Sequence, residues 1–156
     1  MKIMMVCLGN ICRSPMAEGL LNEKIRKYRV NATVDSTGFE PFHLNDPPDT
    51  RAIQEMRRHG IDISKHRMRL FNVEDFDNYD RIYVMDNTNY QDVLSLSRNE
   101  QDTRKVDFIL NVSEPGSNRL VPDPYYGGAS GFANVYNLLD KATDAIIREL
   151  QLNEIK

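Results

Sequence analysis

The chain has 156 residues, 40% of them hydrophobic and 28% charged, with a formal net charge of −3. That length suits a single domain, residues 1–156, around one hydrophobic core, and no linker, internal repeat or low-complexity tract divides it. Interspersed charges of both signs argue against nucleic acid as a partner, and no apolar run approaches a membrane span.

The chain opens on Ile3-Met4-Met5-Val6, an apolar run that reads as a short buried strand around Lys2–Val6. It is too short for a secretory signal and ends at once in Cys7-Leu8-Gly9-Asn10. Both cysteines, Cys7 and Cys12, fall in this one short loop. A disulfide there would close a tiny ring and stabilise little, so reduced thiols and a cytoplasmic location are expected. Next comes a helix from about Ser14 to Lys27, with Met16, Leu20, Leu21 and Ile25 as its buried stripe.

The loop between them, Cys7-Leu8-Gly9-Asn10-Ile11-Cys12-Arg13-Ser14, has the parts of an anion nest. A net charge of −3 means such a site must be made by local geometry. Backbone N–H groups can converge on one centre, and the helix start adds unpaired donors and the positive end of its dipole. Pro15 fits the first helical turn, where a missing N–H costs nothing. Gly9 permits close backbone approach, and Asn10 tolerates left-handed dihedrals. Arg13 supplies a planar fork that matches two phosphate oxygens. Cys7 then lies at the floor of a positively polarised bowl. A free thiol has a pKa of about 8.5, and helix N-termini with neighbouring cations lower such groups to roughly 3.5–7.5. The same donors suit the equatorial oxygens of a phosphoryl group under in-line attack.

Val30 to Ser36 alternates like a strand, which makes a strand–helix–strand unit and a parallel pair. Thr37 to Pro48 is a loop at the carboxyl edge of the sheet, where ligands bind in such folds. It holds Phe39 and Phe42, each of which either walls a ring slot or tucks into the core. Asp46-Pro47-Pro48-Asp49 signals a helix that runs to about His59, with Ala52, Ile53 and Met56 inward and Gly60 ending it. Arg57, Arg58 and His59 suit a helix C-terminus. His66, Arg67 and Arg69 follow; the two arginines are either a solvated loop or a patch that steers an acidic substrate.

Arg81 to Met85 is the third predicted strand, ending at Asp86, followed by a helix from Asn89 to about Ser97 with Val93 and Leu94 buried. Asp86 is expected to brace the loop by accepting backbone N–H bonds. Lys105 to Leu110 is the fourth strand, and Asn111 to Val121 reads as loop. Val121-Pro122-Asp123-Pro124-Tyr125-Tyr126-Gly127-Gly128 is fixed in shape by prolines and bounded by glycines. The last helix runs from about Gly131 to Leu150, long enough to cover one face of the sheet. The expected class is α/β, a three-layer fold with a four-stranded parallel sheet and helices on both faces. His43, His59 and His66 lack metal-ligand spacing, so no metal and no cofactor are expected.

Cys7, five residues, then Arg13-Ser14 is the signature of cysteine-dependent phosphatases. The fuller string, Cys-Leu-Gly-Asn-Ile-Cys-Arg-Ser-Pro-Met-Ala-Glu from Cys7 to Glu18, resembles the low-molecular-weight protein tyrosine phosphatase family, as do Met85-Asp86-x-x-Asn89 and Asp123-Pro124-Tyr125-Tyr126. The resemblance implies hydrolysis of phosphotyrosine in proteins through a phosphocysteine. Cys7 is then the nucleophile and Arg13 the phosphate clamp. Asp123 is the acid that protonates the leaving oxygen, and it returns as base toward water. It implies that Ser14 hydrogen-bonds the departing thiolate, and that His66 bonds Ser14 and so holds the loop. It places Ile11, Phe42 and one of Tyr125 and Tyr126 on the substrate cleft; core packing accounts equally well for one tyrosine ring. Tyrosine-phosphorylated proteins are the implied partners, with inorganic phosphate as product and a tyrosine kinase acting on Tyr125 or Tyr126 as a further one. Cys12 is either a small buried side chain or, as in the family, the partner of Cys7 in a reversible protective disulfide.

Other readings differ in class. Thiol-dependent arsenate reductases share this loop but pass oxidation to further cysteines, which are absent here. A non-catalytic phospho-ligand module would lack Cys7, Arg13 or Asp123. Protein arginine phosphatases of the family tend to carry threonine where this chain has Ile11, whose apolar side chain suits a phenyl ring better than a guanidinium. Phe42, Asn45 and Leu70 depart from common family residues and bear on the substrate rim.

Overall fold

The computed structural model describes residues 1–126 and 129–155. Its centre is β1 (Lys2–Val6), buried at four of five positions. A strand in the middle of a parallel sheet is covered on both faces, so it reads as a continuous apolar run. Ile3 and Met5 enter one core with Met16, Leu20 and Leu21; Met4 and Val6 enter the other with Phe76, Ile82, Val93 and Phe108. That split, residue by residue along one strand, is what makes the fold three-layered.

The sheet has four parallel strands in the order β2-β1-β3-β4, with β2 at Thr33–Thr37, β3 at Arg81–Val84 and β4 at Val106–Phe108. The register places Met4 between Asp35 and Ile82. The chain leaves β1 toward one side for β2 and returns past it to β3. The loops after β1 and β3 therefore diverge and open a crevice at the carboxyl edge.

The helix after β1, α1 (Arg13–Tyr28), buries Met16, Leu20, Leu21 and Ile25, the stripe read from the sequence. Arg29 closes it in the left-handed region at φ 53°, with Arg26 and Lys27 favourably placed in the last turn. The second strand starts at Thr33 rather than Val30. The N–H of Val30 donates to the carbonyl of Ile25 (3.0 Å), so Val30 finishes the helix end and never joins the ladder. The next helix, α2 (Thr50–Arg57), is capped by the Asp49 side chain and stops two residues before His59.

Three short helices escape the sequence pattern: α3 (Asp75–Asn78), α5 (Glu100–Arg104) and α6 (Leu110–Ser113). Each is too short to show a helical period. The last takes Leu110 from the predicted fourth strand, which ends at Phe108. Between α3 and α5, α4 (Asn87–Ser95) begins two residues before the expected Asn89 because Asp86 caps it, accepting the Asn89 N–H at 2.9 Å. The last helix, α7 (Ala129–Ile155), is longer at both ends than the predicted Gly131–Leu150. It packs along α1, where Lys24 reaches Asp140 (2.7 Å) and Asp144 (2.9 Å). Among the described residues, no helix is long and apolar enough to cross a membrane.

Candidate active site

The loop after β1 folds back on its own thiol. Cys7 is 2% exposed, and its Sγ receives the N–H of Asn10 at 3.2 Å and of Ser14 at 3.4 Å. The Ser14 Oγ lies 3.0 Å from the same sulfur. The reversal turns on Asn10, which is in the left-handed region at φ 54°. The Asn10 side chain then braces the loop. Its Nδ2 donates to Ser14 Oγ (2.7 Å) and Ser36 Oγ (3.0 Å), and its Oδ1 accepts the Arg69 N–H (3.2 Å).

His66 completes that brace, one link away from where it was expected. Its Nε2 lies 3.0 Å from Asn10 Oδ1, so it reaches Ser14 through Asn10 and not directly. The reason is geometric: Asn10 fills the space between imidazole and hydroxyl. The other ring nitrogen is 3.4 Å from Glu18 Oε1. Burial lifts Glu18 to about 7, against a hydrogen bond from Ser36, and Asp35 adds to the rise. Burial also lowers His66. Burial thus disfavours the charged form of both groups.

Arg13 is 3% exposed although it is charged. Its Nη1 donates to Asp86 Oδ2 (2.7 Å) and to the carbonyl of Val121 (2.9 Å), and its Nη2 is 3.7 Å from Asp123 Oδ2. Burial opposes the charge, but Cys7 and then Asp86 outweigh it and raise the pKa of the guanidinium. Asp86 accepts one backbone N–H, from Asn89, and its other oxygen holds Arg13. It therefore braces the arginine and the start of α4 more than the loop backbone.

Asp123 lines the same pocket as the thiol. The pocket wall includes Cys7, Leu8, Gly9, Ile11, Cys12 and Arg13 from the loop after β1. Asp123 and Tyr125 close it from the proline-bounded loop, and Glu40 and His43 from the loop after β2. The Asp123 Oδ1 accepts the Tyr125 N–H at 3.0 Å. Cys12 is buried; desolvation, then Cys7, Asp49 and Asp123, push its thiol well up, with Arg51 working the other way. Both cysteines are free thiols.

The loop after β2 corrects one expectation. Phe42 is 83% exposed and is absent from the pocket wall. Gly38 crosses the loop after β1 so closely that a Cβ would stand 2.8 Å from the Leu8 carbonyl oxygen. The N–H groups of Phe39 and Glu40 then donate to that oxygen, at 2.8 and 3.0 Å. The turn that follows, Pro41–His43, brings His43 and not Phe42 to the wall. Phe39 takes the other option and stacks on Phe71 at 5.6 Å in the smaller core. Tyr125 lies on the wall as expected; the Tyr126 side chain is outside the described residues. Glu40 and His43 were missed because no local spacing marks them; only the crossing at Gly38 brings them in. Arg69 does not form a steering patch, since Asp75 holds its guanidinium at 3.0 Å. Among the described residues, no cluster of His, Cys, Asp and Glu could hold a metal ion.

A family model described as low molecular weight phosphotyrosine protein phosphatase matches residues 2–155. The low molecular weight phosphotyrosine protein phosphatase of Schizosaccharomyces pombe is 36% identical over 138 residues, 86% of this chain and 87% of its own. That of Homo sapiens is 38% identical over 137 residues, 86% of this chain and 85% of its own. The crystal structure of a protein tyrosine phosphatase from Entamoeba histolytica, with Hepes in its active site, superposes with a TM-score of 0.91 at 33% identity, covering 99% of each chain. The structure of a Drosophila arginine phosphatase superposes at 0.86 with 28% identity, covering 96% of this chain and 97% of that one.

Proposed function

The chain belongs to the low molecular weight phosphotyrosine protein phosphatase family, and from that premise we propose that it hydrolyses phosphotyrosine in proteins through a phosphocysteine. One observation carries the reading: Cys7, Arg13 and Asp123 share a single pocket, with the sulfur at the focus of inward N–H groups. The thiolate of Cys7 attacks phosphorus in line. The phosphoryl oxygens are received by the loop N–H groups and by Arg13, held in place by Asp86. As the P–O bond breaks, Asp123 gives its proton to the tyrosine oxygen. In the second step Asp123 takes a proton from water, the water oxygen bonds to phosphorus, and the S–P bond breaks. Ser14, 3.0 Å from the sulfur, donates a hydrogen bond to the departing thiolate. Inorganic phosphate leaves.

Leu8 and Ile11, with the Tyr125 ring, offer the apolar walls that a phenyl ring needs. We place Phe42 on the outer rim, in reach of residues flanking the phosphotyrosine. The partners are tyrosine-phosphorylated proteins in the cytoplasm, a tyrosine kinase acting on Tyr125 or Tyr126 is a further one, and the whole chain acts as one domain.

A second reading, phosphoarginine hydrolysis, draws on one feature of the pocket. The carboxylate of Glu40 stands on the wall, where a guanidinium finds a partner. Ile11 on the same wall weighs the other way. Phosphotyrosyl and phosphoarginyl peptides of one sequence, assayed side by side, separate the two. We expect faster turnover of the phosphotyrosyl peptide, no turnover by Cys7→Ser, and a loss of about 10²–10⁴-fold in Asp123→Ala. Faster turnover of the phosphoarginyl peptide reverses the substrate assignment.

A further inference from the structure

The proline-bounded loop that carries Asp123 is pinned to the body at both ends. At its start, the Val121 N–H donates to the Met85 carbonyl (2.8 Å), and the Val121 carbonyl accepts from Arg13 (2.9 Å). At its other end the pin is Arg51, a residue that neither the sequence pattern nor the mechanism above uses. Arg51 is the second residue of α2. Its Nε and Nη2 form a fork on the Asp49 carboxylate, at 3.1 and 3.0 Å. The same Nη2 donates to the Tyr125 carbonyl at 3.1 Å. Its guanidinium carbon lies 5.4 Å from the Tyr125 ring centre and 4.9 Å from that of Phe132 on α7.

We propose that Arg51 is a positioning residue for the acid, fixing Asp123 over the pocket by way of Tyr125. The link is short. Tyr125 offers its carbonyl to Arg51 and its N–H to Asp123 Oδ1 (3.0 Å), so a single residue passes the constraint from one to the other. Asp49 is in turn tied to the phosphate loop, its N–H donating to the Ile11 carbonyl at 2.8 Å. Arg51 thereby sets the distance between the two halves of the site. A planar fork that also stacks on two rings does this; an ammonium does not. The proposal rests on the reading of Asp123 as general acid, and its test separates the two.

A poor leaving group needs the acid and a good one does not. We therefore compare kcat/KM for phenyl phosphate and 2,4-dinitrophenyl phosphate in the parent, Arg51→Ala, Arg51→Lys and Asp123→Ala, with inhibition by inorganic phosphate as a reading of the phosphate loop. For Arg51→Ala we expect a fall of about ten- to a hundredfold on phenyl phosphate. Activity on the dinitrophenyl ester should fall about twofold or less, with phosphate inhibition held and Arg51→Lys giving no rescue. Arg51→Lys keeps the stem and the charge, so the ratio is read on it alone where Arg51→Ala does not fold. Equal losses on both esters, weaker phosphate inhibition, or a parent-like ratio in Arg51→Lys overturn the proposal. Should Asp123→Ala itself keep the parent ratio, the acid assignment fails and takes the proposal with it.

Discussion

Asn10 concentrates two demands on one side chain. The backbone there must be left-handed, and the carboxamide must tie together Ser14, Ser36, His66 and the Arg69 N–H. Asn10→Ala therefore leaves buried partners unmet and puts a residue without asparagine's tolerance of the left-handed region at φ 54°. We expect a stability loss of about 3 kcal/mol by urea unfolding, together with lower turnover. Asn10→Gly restores the backbone freedom only, and is expected to recover about 1 kcal/mol of that loss. A variant within about 0.5 kcal/mol of the parent contradicts this role for Asn10. At this scale the sequence was most legible where chemistry is local. Cys7, Asn10, Arg13 and Ser14 lie within eight positions, so one turn brings them together. His66 was legible as a brace but not by its partner, because the intervening Asn10 is placed by the fold. Glu40 and His43 were not legible, and Phe42 was read onto a wall that the turn at Pro41 gives to His43.

Among the elements, α1 does more than fill the core. Its first turns carry Glu18 against the brace, where the Ser36 hydroxyl donates to it and His66 lies beside it. Burial lifts Glu18 from 4.5 to about 7, so the folded protein holds this proton more tightly than the unfolded chain. The sign follows. The stabilisation is fully present below the unfolded value, and it is lost as pH rises through about 7. Its size is of order 3 kcal/mol. His66 acts in the opposite sense: burial lowers it, so its contribution is lost as pH falls below the usual imidazole range. Glu18→Gln removes the titrating group of the first effect. Urea unfolding of parent and variant at pH 5 and pH 8 should show the variant gaining relative to the parent at the higher pH. An unchanged difference between the two pH values contradicts the buried-acid account. The long elements were readable from their apolar periods, α1 almost to the residue. The second strand was started too early because Val30, apolar and alternating, serves the helix end. The short helices were missed because four or five residues hold no period.

For the whole molecule, the decisive fact is that distant segments meet at one edge of the sheet. The loop that carries Cys7 and Arg13 follows β1, Asp86 follows β3, and Val121 to Tyr125 follow α6. Nothing in the sequence alone pairs Arg13 with Asp86 or brings Asp123 within 3.7 Å of the same guanidinium. Parallel order puts every strand's carboxyl end on one side, and the divergence of the loops at β1 leaves room for a ligand there. The fold class was legible because a strand–helix–strand start with buried strands admits few alternatives. The long-range pairs were not, since they depend on register. The central claim is that phosphorus passes through the sulfur of Cys7. Asp123→Ala, mixed rapidly with 2,4-dinitrophenyl phosphate, whose leaving group needs no acid, then quenched and digested, should yield a phosphoryl adduct on the peptide containing Cys7 by mass spectrometry, and Cys7→Ser should yield neither adduct nor turnover. An adduct on a different residue, or parent-like turnover by Cys7→Ser, contradicts the account.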